Sequence, residues 1–218
     1  MSSIATRLYS HHLAGMVSPK SKQLQLEFGG EDALFEPARA LPSGFRYQPD
    51  LIGRDEETEL VSRLETLPFA PFNFHGHLAN RRVVGFGFRY DYENRRLIEA
   101  AEIPGFLLGL REKVAALADL PAEDFIQILI NEYRPGAGIG WHRDKPQFEV
   151  VAGVSLLAPC SFRLRRKNGT KWERETITVE PRSAYLMTGP ARHEWEHSIP
   201  PVSEHRYSIT LRTLRSAP

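Results

Sequence analysis

Cysteine is almost missing from this chain. Its 218 residues contain one, Cys160, which excludes internal disulfides and cysteine-only metal sites and fits a reducing, cytoplasmic compartment. The apolar neighbours Leu156, Leu157, Ala158 and Phe162 suit a buried structural thiol. Long hydrophobic runs are missing too: no stretch approaches the ~20 apolar residues that cross a bilayer, so no membrane span is expected. Charge of one sign is not in excess. A formal net charge of +1 neither favours nor excludes a nucleic-acid partner. Finally, no acid precedes Glu27, although Arg7, Lys20 and Lys22 do. This is a faint likeness to a transit peptide without a secretory apolar core, and residues 1–27 read as a flexible tail, followed by a loop at Phe28-Gly-Gly30.

The remainder is ordinary for one globular domain with an N-terminal extension. Phe45-Arg-Tyr47 suits a short strand. Asp55 is placed to cap a helix with Leu60, Val61, Leu64 and Leu67 at helical spacing, ended by Pro68. A loop carrying Phe69, Phe72, Phe74, His75 and His77 leads to a strand over Arg82–Tyr92, whose alternation puts Phe86, Phe88, Tyr90 and Tyr92 on one face. Pro104 opens a second helix, to about Ala118, with Phe106, Leu107, Leu110, Val114 and Leu117 on one side. After Pro121 the character becomes strand-like: Phe125–Tyr133, Val150–Leu157, Phe162–Arg165, Glu175–Val179, Ala184–Met187, Trp195–Ile199 and Tyr207–Thr213, with a hairpin turn at Lys167-Asn168-Gly169-Thr170. Such short strands point to a sandwich or jelly roll buttressed by the N-terminal helices. The expected fold is therefore α+β, mainly β, with residues 28–122 forming helices and a lid region and residues 123–218 forming the core of one integrated domain. Arginine is locally clustered at Arg81-Arg82, Arg95-Arg96 and Arg163 to Arg166, which suits either phosphate contacts or solvated strand faces.

Leu129 to Asp144 reads L-I-N-E-Y-R-P-G-A-G-I-G-W-H-R-D. In an extended segment i and i+2 share a side, so His142 and Asp144 converge on one point. With eight histidines in the chain, about one such pair arises by chance; a third ligand must decide. His193-Glu-Trp-Glu-His197 matches the zinc-protease pattern, but that pattern works only on a helix. Here Gly189-Pro190 and Pro200-Pro201 bracket nine residues with no helical stripe. Read as a strand, the segment needs only to turn His197 inward opposite His142 and Asp144. Two histidines and one carboxylate form the facial triad of non-haem Fe(II) oxygenases.

A 2-oxoglutarate enzyme also needs a fixed cation for the distal carboxylate, a task that suits the planar fork of guanidinium. In H-R-Y-S-I-T-L-R, Arg206, Ser208, Thr210 and Arg212 alternate with Tyr207, Ile209 and Leu211. Periodicity alone leaves open which of the two faces points inward. Coincidence with His142, Asp144 and His197 favours the arginine face.

The motifs I130-N-E-Y-R-P-G136, G140-W-H-R-D144, W195-E-H-S-I199 and H205-R-Y-S-I-T-L-R212, with R81-R-V-V-G-F-G-F88 before them, resemble the AlkB-like family of Fe(II)/2-oxoglutarate dioxygenases over about Leu41 to Arg215. The resemblance implies a double-stranded β-helix, with iron held by His142, Asp144 and His197. It implies that Asn131 and Tyr133 line the 2-oxoglutarate pocket, that Arg206 grips one carboxylate, that Arg212 lies near the other end, and that Ser208 and Thr210 contribute. It also implies O₂ as the second co-substrate. It further implies a nucleotide-recognising lid around Phe69–Tyr92, with Arg82, Phe86 and Tyr90 as candidates. One departure matters: the DNA-repair prototype has a second aspartate two residues after the metal aspartate, where this chain has Pro146. The sequence looks closer to the branch with tRNA wobble-uridine hydroxylases and protein-directed members. The expected function is hydroxylation or oxidative demethylation of a modified base in DNA or tRNA by a monomer. The alternatives are oxidation of a protein side chain and a non-catalytic jelly-roll binding module, with zinc hydrolysis remote.

Overall fold

A computed structural model describes residues 41–74, 77–91 and 96–215, with the side chains of 73–79 and 89–97 excluded. The expected tail, the Phe28 loop, His75 and Tyr92, and the side chains of His77 and Tyr90, therefore lie outside the described residues. The chain begins with β1 (Phe45–Gln48) and α1 (Arg54–Leu64), then runs through β2 (Ala70–Phe74), β3 (His77–Phe86), β4 (Phe88–Asp91) and β5 (Arg96–Glu99). A 3-10 turn at Gly105–Leu107 leads into α2 (Leu108–Ala118). Eight strands follow: β6 (Phe125–Tyr133), β7 (Ile139–His142), β8 (Phe148–Leu156), β9 (Cys160–Asn168), β10 (Lys171–Val179), β11 (Ala184–Met187), β12 (Glu196–Ile199) and β13 (Arg206–Leu214), with a short α3 (Gly189–His193) before β12.

These strands build a seven-stranded sheet ordered β1-β11-β8-β13-β6-β3-β2 and a four-stranded sheet ordered β10-β9-β12-β7. Strands β6 to β13 divide between the two sheets, four to each, as a jelly roll requires. The expected mainly β architecture with helices against one sheet is what forms. Leu60 and Leu64 of α1, and Leu110 and Val114 of α2, pack on Ile128, Ile130, Val154, Tyr207, Ile209 and Leu211. A second apolar layer, with Tyr133, Phe148, Cys160, Phe162, Leu164, Tyr185 and Ile199, packs together around the facing sides of the two sheets. Cys160 is buried there, as a structural thiol would be. No helix among the described residues is long and apolar enough to cross a membrane.

Three local expectations need correction. Gly53, not Asp55, occupies the N-cap of α1; Asp55 lies in the first turn with Glu56 and Glu57, where carboxylates meet the positive end of the helix dipole. Helix α1 also stops at Leu64, leaving Leu67 beyond its end, still packed against the core. The expected continuous strand over Arg82–Tyr92 breaks at Gly87, which has φ +76° and whose missing Cβ would stand 1.9 Å from the Ile126 carbonyl oxygen. Only glycine tolerates both conditions. The chain turns there into the separate β4–β5 ribbon, so Phe86 and Phe88 lie on different strands. At the other hairpin, Lys171 pairs with Asn168 around Gly169-Thr170, and Gly169 has the positive φ that primed turns demand.

Candidate metal and co-substrate site

His142 ends β7 and is the direct cross-strand partner of His197 on β12. Opposite residues on an antiparallel pair point to the same side, and the two imidazole centroids are 4.2 Å apart. Asp144 follows just beyond β7. One ligand atom from each of the three lies within 4.8 Å of the others, and His197 Nε2 is 3.6 Å from Asp144 Oδ2. The second imidazole nitrogen of His142, Nδ1, lies 2.9 Å from the Gly140 carbonyl oxygen. That contact leaves Nε2 for a metal.

The electrostatics suit a cation. Burial pushes the His197 imidazolium pKa down to about 3, helped by neighbouring His142 and opposed by Asp144. Burial lowers His142 as well. Both rings are thus neutral and able to donate a lone pair. Burial alone would raise Asp144, but the Arg212 guanidinium and the two histidines outweigh it and hold the carboxyl well below the usual range. Arg212 Nε donates to Asp144 Oδ1 at 2.8 Å, while its Nη1 donates to Gln127 Oε1 at 2.9 Å. Asp144 Oδ2 is buried and makes no hydrogen bond. This free oxygen faces the histidines. Two neutral imidazoles and one unsatisfied carboxylate oxygen fit Fe(II).

Strand β13 decides the second half of the site. Tyr207, Ile209 and Leu211 go into the layer beneath the helices. Arg206, Ser208, Thr210 and Arg212 consequently face between the sheets, and all four are buried. Register sets Tyr133 opposite Arg206 and Asn131 opposite Ser208. Arg206 is 1% exposed. Its Nη2 donates to Ser155 Oγ at 2.9 Å and its guanidinium carbon lies 5.0 Å from the Tyr133 ring centre. Its Nε and Nη1 have no hydrogen-bond partner. A buried guanidinium with two idle donors is costly unless an anion arrives to satisfy them.

Several residues that shape this region escaped the sequence reading. Arg192 on α3 is buried and donates to the carbonyls of Lys145 and Phe148, at 2.5 and 2.8 Å, pinning the loop after Asp144. Tyr185 lies across Gly153 of β8: a Cβ on that glycine would stand 2.3 Å from the phenol ring. Ser155 and Gln127 orient the two arginines. No motif marks any of them, because each is defined by a partner distant in sequence. The lid candidates need a shift of register. Arg82 and Phe86 face the helix side of β3, Arg82 paired with Glu132 and Phe86 buried in the core beneath the helices. Arg81 instead reaches the inner face, donating to Asn131 Oδ1 at 3.3 Å. Sequence could have found it by carrying the Asn131 face across to β3. His193 ends α3, and its Nε2 is 3.0 Å from Glu149 Oε1. Since His197 lies on a strand, the two histidines of the zinc-protease pattern share no helix.

The sequence profile of the 2OG-Fe(II) oxygenase superfamily matches residues 45–215. The chain belongs to that superfamily. Within it the protein is AlkB-like, and the family's reactants are Fe(II), 2-oxoglutarate and O₂. It is 27% identical to the "Alkylated DNA repair protein ALKBH8 homolog" of Arabidopsis thaliana, over 78% of this chain and 58% of that protein. It is 30% identical to the mouse "tRNA (carboxymethyluridine(34)-5-O)-methyltransferase ALKBH8", over 74% of this chain. It spans only a quarter (25%) of that protein's length. Among solved structures, OsALKBH1 superposes with a TM-score of 0.65 at 15% identity, covering 80% of this chain and 99% of that one. A Pseudomonas putida prolyl-4-hydroxylase gives 0.54 at 14%, covering 80% and 94%. At these identities the two structures speak for the shared fold of this AlkB-like oxygenase.

Proposed function

We propose that this protein is an Fe(II)- and 2-oxoglutarate-dependent dioxygenase that hydroxylates or oxidatively demethylates a modified nucleic-acid base. The observation that carries the reading is Arg206. Its two idle donors lie on the same strand face as Arg212, which holds the Asp144 carboxylate of the triad. In this reading His142, Asp144 and His197 hold the metal. Arg206 grips the distal carboxylate, backed by Ser155 and Tyr133, while Asn131, Ser208 and Thr210 line the pocket and Arg212 holds Asp144 in its ligating pose. With 2-oxoglutarate and O₂, bound Fe(II) supplies the oxidant for a C–H bond, and succinate and CO₂ leave. An N-methyl group hydroxylated at carbon breaks its C–N bond and departs as formaldehyde, the proton returning to nitrogen.

Nucleic acid is favoured over protein by the names of the relatives, which span DNA repair, a tRNA uridine and, for a zebrafish protein 31% identical over 49% of this chain, a "Probable RNA/DNA demethylase". The region around Phe69–Tyr92 serves as the recognition lid, with Arg81 reaching inward from β3. Every group named for the metal and the carboxylate comes from one chain, so a monomer suffices. The test is succinate formation by anaerobically purified, iron-reconstituted protein given 2-oxoglutarate and O₂, with and without methylated DNA or tRNA. Stimulation by one of them is expected. Equal succinate without either would move the substrate to protein; none, with iron bound, would leave a binding module.

A further inference from the structure

We infer that the outer face of the four-stranded sheet is a track for single-stranded nucleic acid leading away from the metal site. This inference rests on the nucleic-acid reading above. Strands β7, β12, β9 and β10 carry the two histidine ligands on their inner side, and alternation sends the neighbours of those ligands outward. Trp141 adjoins His142. Glu196 and Ser198 flank His197 and pair in register with Arg165 and Arg163. Arg165 and Arg163 pair in turn with Arg174 and Thr176 of β10, and Lys167 with Trp172. The outer face is thus built of Trp141, Trp172 and four cations against Glu196 on these strands.

The groups are stacked rather than scattered. The Arg165 guanidinium lies 4.4 Å from the centre of the Trp141 ring and 4.5 Å from that of Trp172, held between two indoles while its Nε donates to Glu196 at 2.6 Å. Arg163 lies 5.3 Å from Trp141, donates to Ser198 Oγ and has no carboxylate within ion-pair distance among the described residues. Lys167 makes no ion pair among them either. Trp172 remains 39% exposed on an edge strand. Charges alone would guard that edge against pairing with another chain; an open indole would not help. A cation–indole ladder ending in an exposed ring is suited to a polyanion with flat bases, because stacking and phosphate attraction operate on any sequence. Four strands cover roughly 14 Å. The other edge of the sheet is β7, where exposed Arg143 sits between two metal ligands, so a strand leaving the site meets this face after crossing one edge.

The test is fluorescence anisotropy of labelled oligouridine with the full chain loaded with Mn(II), over a range of salt, for wild type, Trp172→Ala and Lys167→Ala. Both side chains are exposed, and thermal melts check that each variant folds. Trp172→Ala should weaken binding about tenfold. Lys167→Ala should lower the slope of log affinity against log salt by about one. Succinate formation without nucleic acid should not change in either. Wild-type binding that both variants retain, with the same salt slope, would overturn the track and leave the nucleic-acid reading intact. Failure of wild type to bind, or of nucleic acid to stimulate succinate, would sink both. Loss of polyglutamate binding with oligouridine binding kept would overturn the track in favour of an acidic protein partner.

Discussion

Arg212 does two jobs on one strand position. It neutralises Asp144 and, through Gln127, is itself held still. Replacing it with methionine leaves a buried carboxylate without its cation, which should cost about 3–5 kcal/mol in the metal-free protein. Urea unfolding measures that loss, and metal affinity should fall with it because Asp144 is no longer aimed. The candidate ligand set also makes acid sensitivity predictable. His197 is held neutral, with its pKa pushed down to about 3 from the ordinary 6.5. Between those values the unfolded chain binds a proton the folded one refuses, so this contribution is complete above pH 6.5 and drains away as pH falls toward 3. Asp144, also depressed, is protonated more readily when unfolded and acts in the same direction. Metal-free protein melted at successive pH values should lose stability steadily below pH 6.5, and a His197→Gln variant should show a shallower decline.

Gly87 sets the scale of the element. Its positive φ and its approach to the Ile126 carbonyl end β3 and send the chain into the β4–β5 ribbon. Gly87→Ala should destabilise by more than the ~1–3 kcal/mol that left-handed strain alone costs, because its Cβ would also stand 1.9 Å from the Ile126 carbonyl oxygen, a loss read as a lower denaturant midpoint. Arg81 on β3 moves with any readjustment, so substrate-stimulated succinate should drop more than succinate formed without substrate. The same scale explains which lid residues were legible. The alternation of Arg82 and Phe86 on β3 was visible, but its side was not: a strand read alone shows two faces without saying which is inward. Register with β6 assigns Arg82 opposite Glu132 and Val83 opposite Asn131, and a one-residue choice exchanges the faces.

At the scale of the molecule, two sheets must close on each other for the site to exist, so ligands should report on global stability. Mn(II) with 2-oxoglutarate, each at 100 times its dissociation constant, should each add about 2.7 kcal/mol and raise the melting temperature. Arg206→Met should keep the Mn(II) increment and lose the 2-oxoglutarate increment. Loss of both would mean that Arg206 supports the fold rather than the co-substrate.

The sequence by itself determined the mainly β class, the approximate helix positions and the candidacy of His142 and Asp144 as a metal-binding pair. These follow from local chemistry: alternation within one strand, spacing within one helix, and His-x-Asp two residues apart in an extended segment. Tyr133, Asn131, Arg206 and Arg212 stood out through their motifs as candidates for the co-substrate pocket. Only the tertiary structure decided which face of β13 points between the sheets, because periodicity is symmetric until α1 and α2 cover Tyr207, Ile209 and Leu211. It alone brought Ser155, Gln127, Tyr185, Arg192 and Arg81 to the site, since each arrives from a strand or helix distant in sequence. Within a strand the chain's own geometry sets the pattern; across strands, register and packing choose the partners.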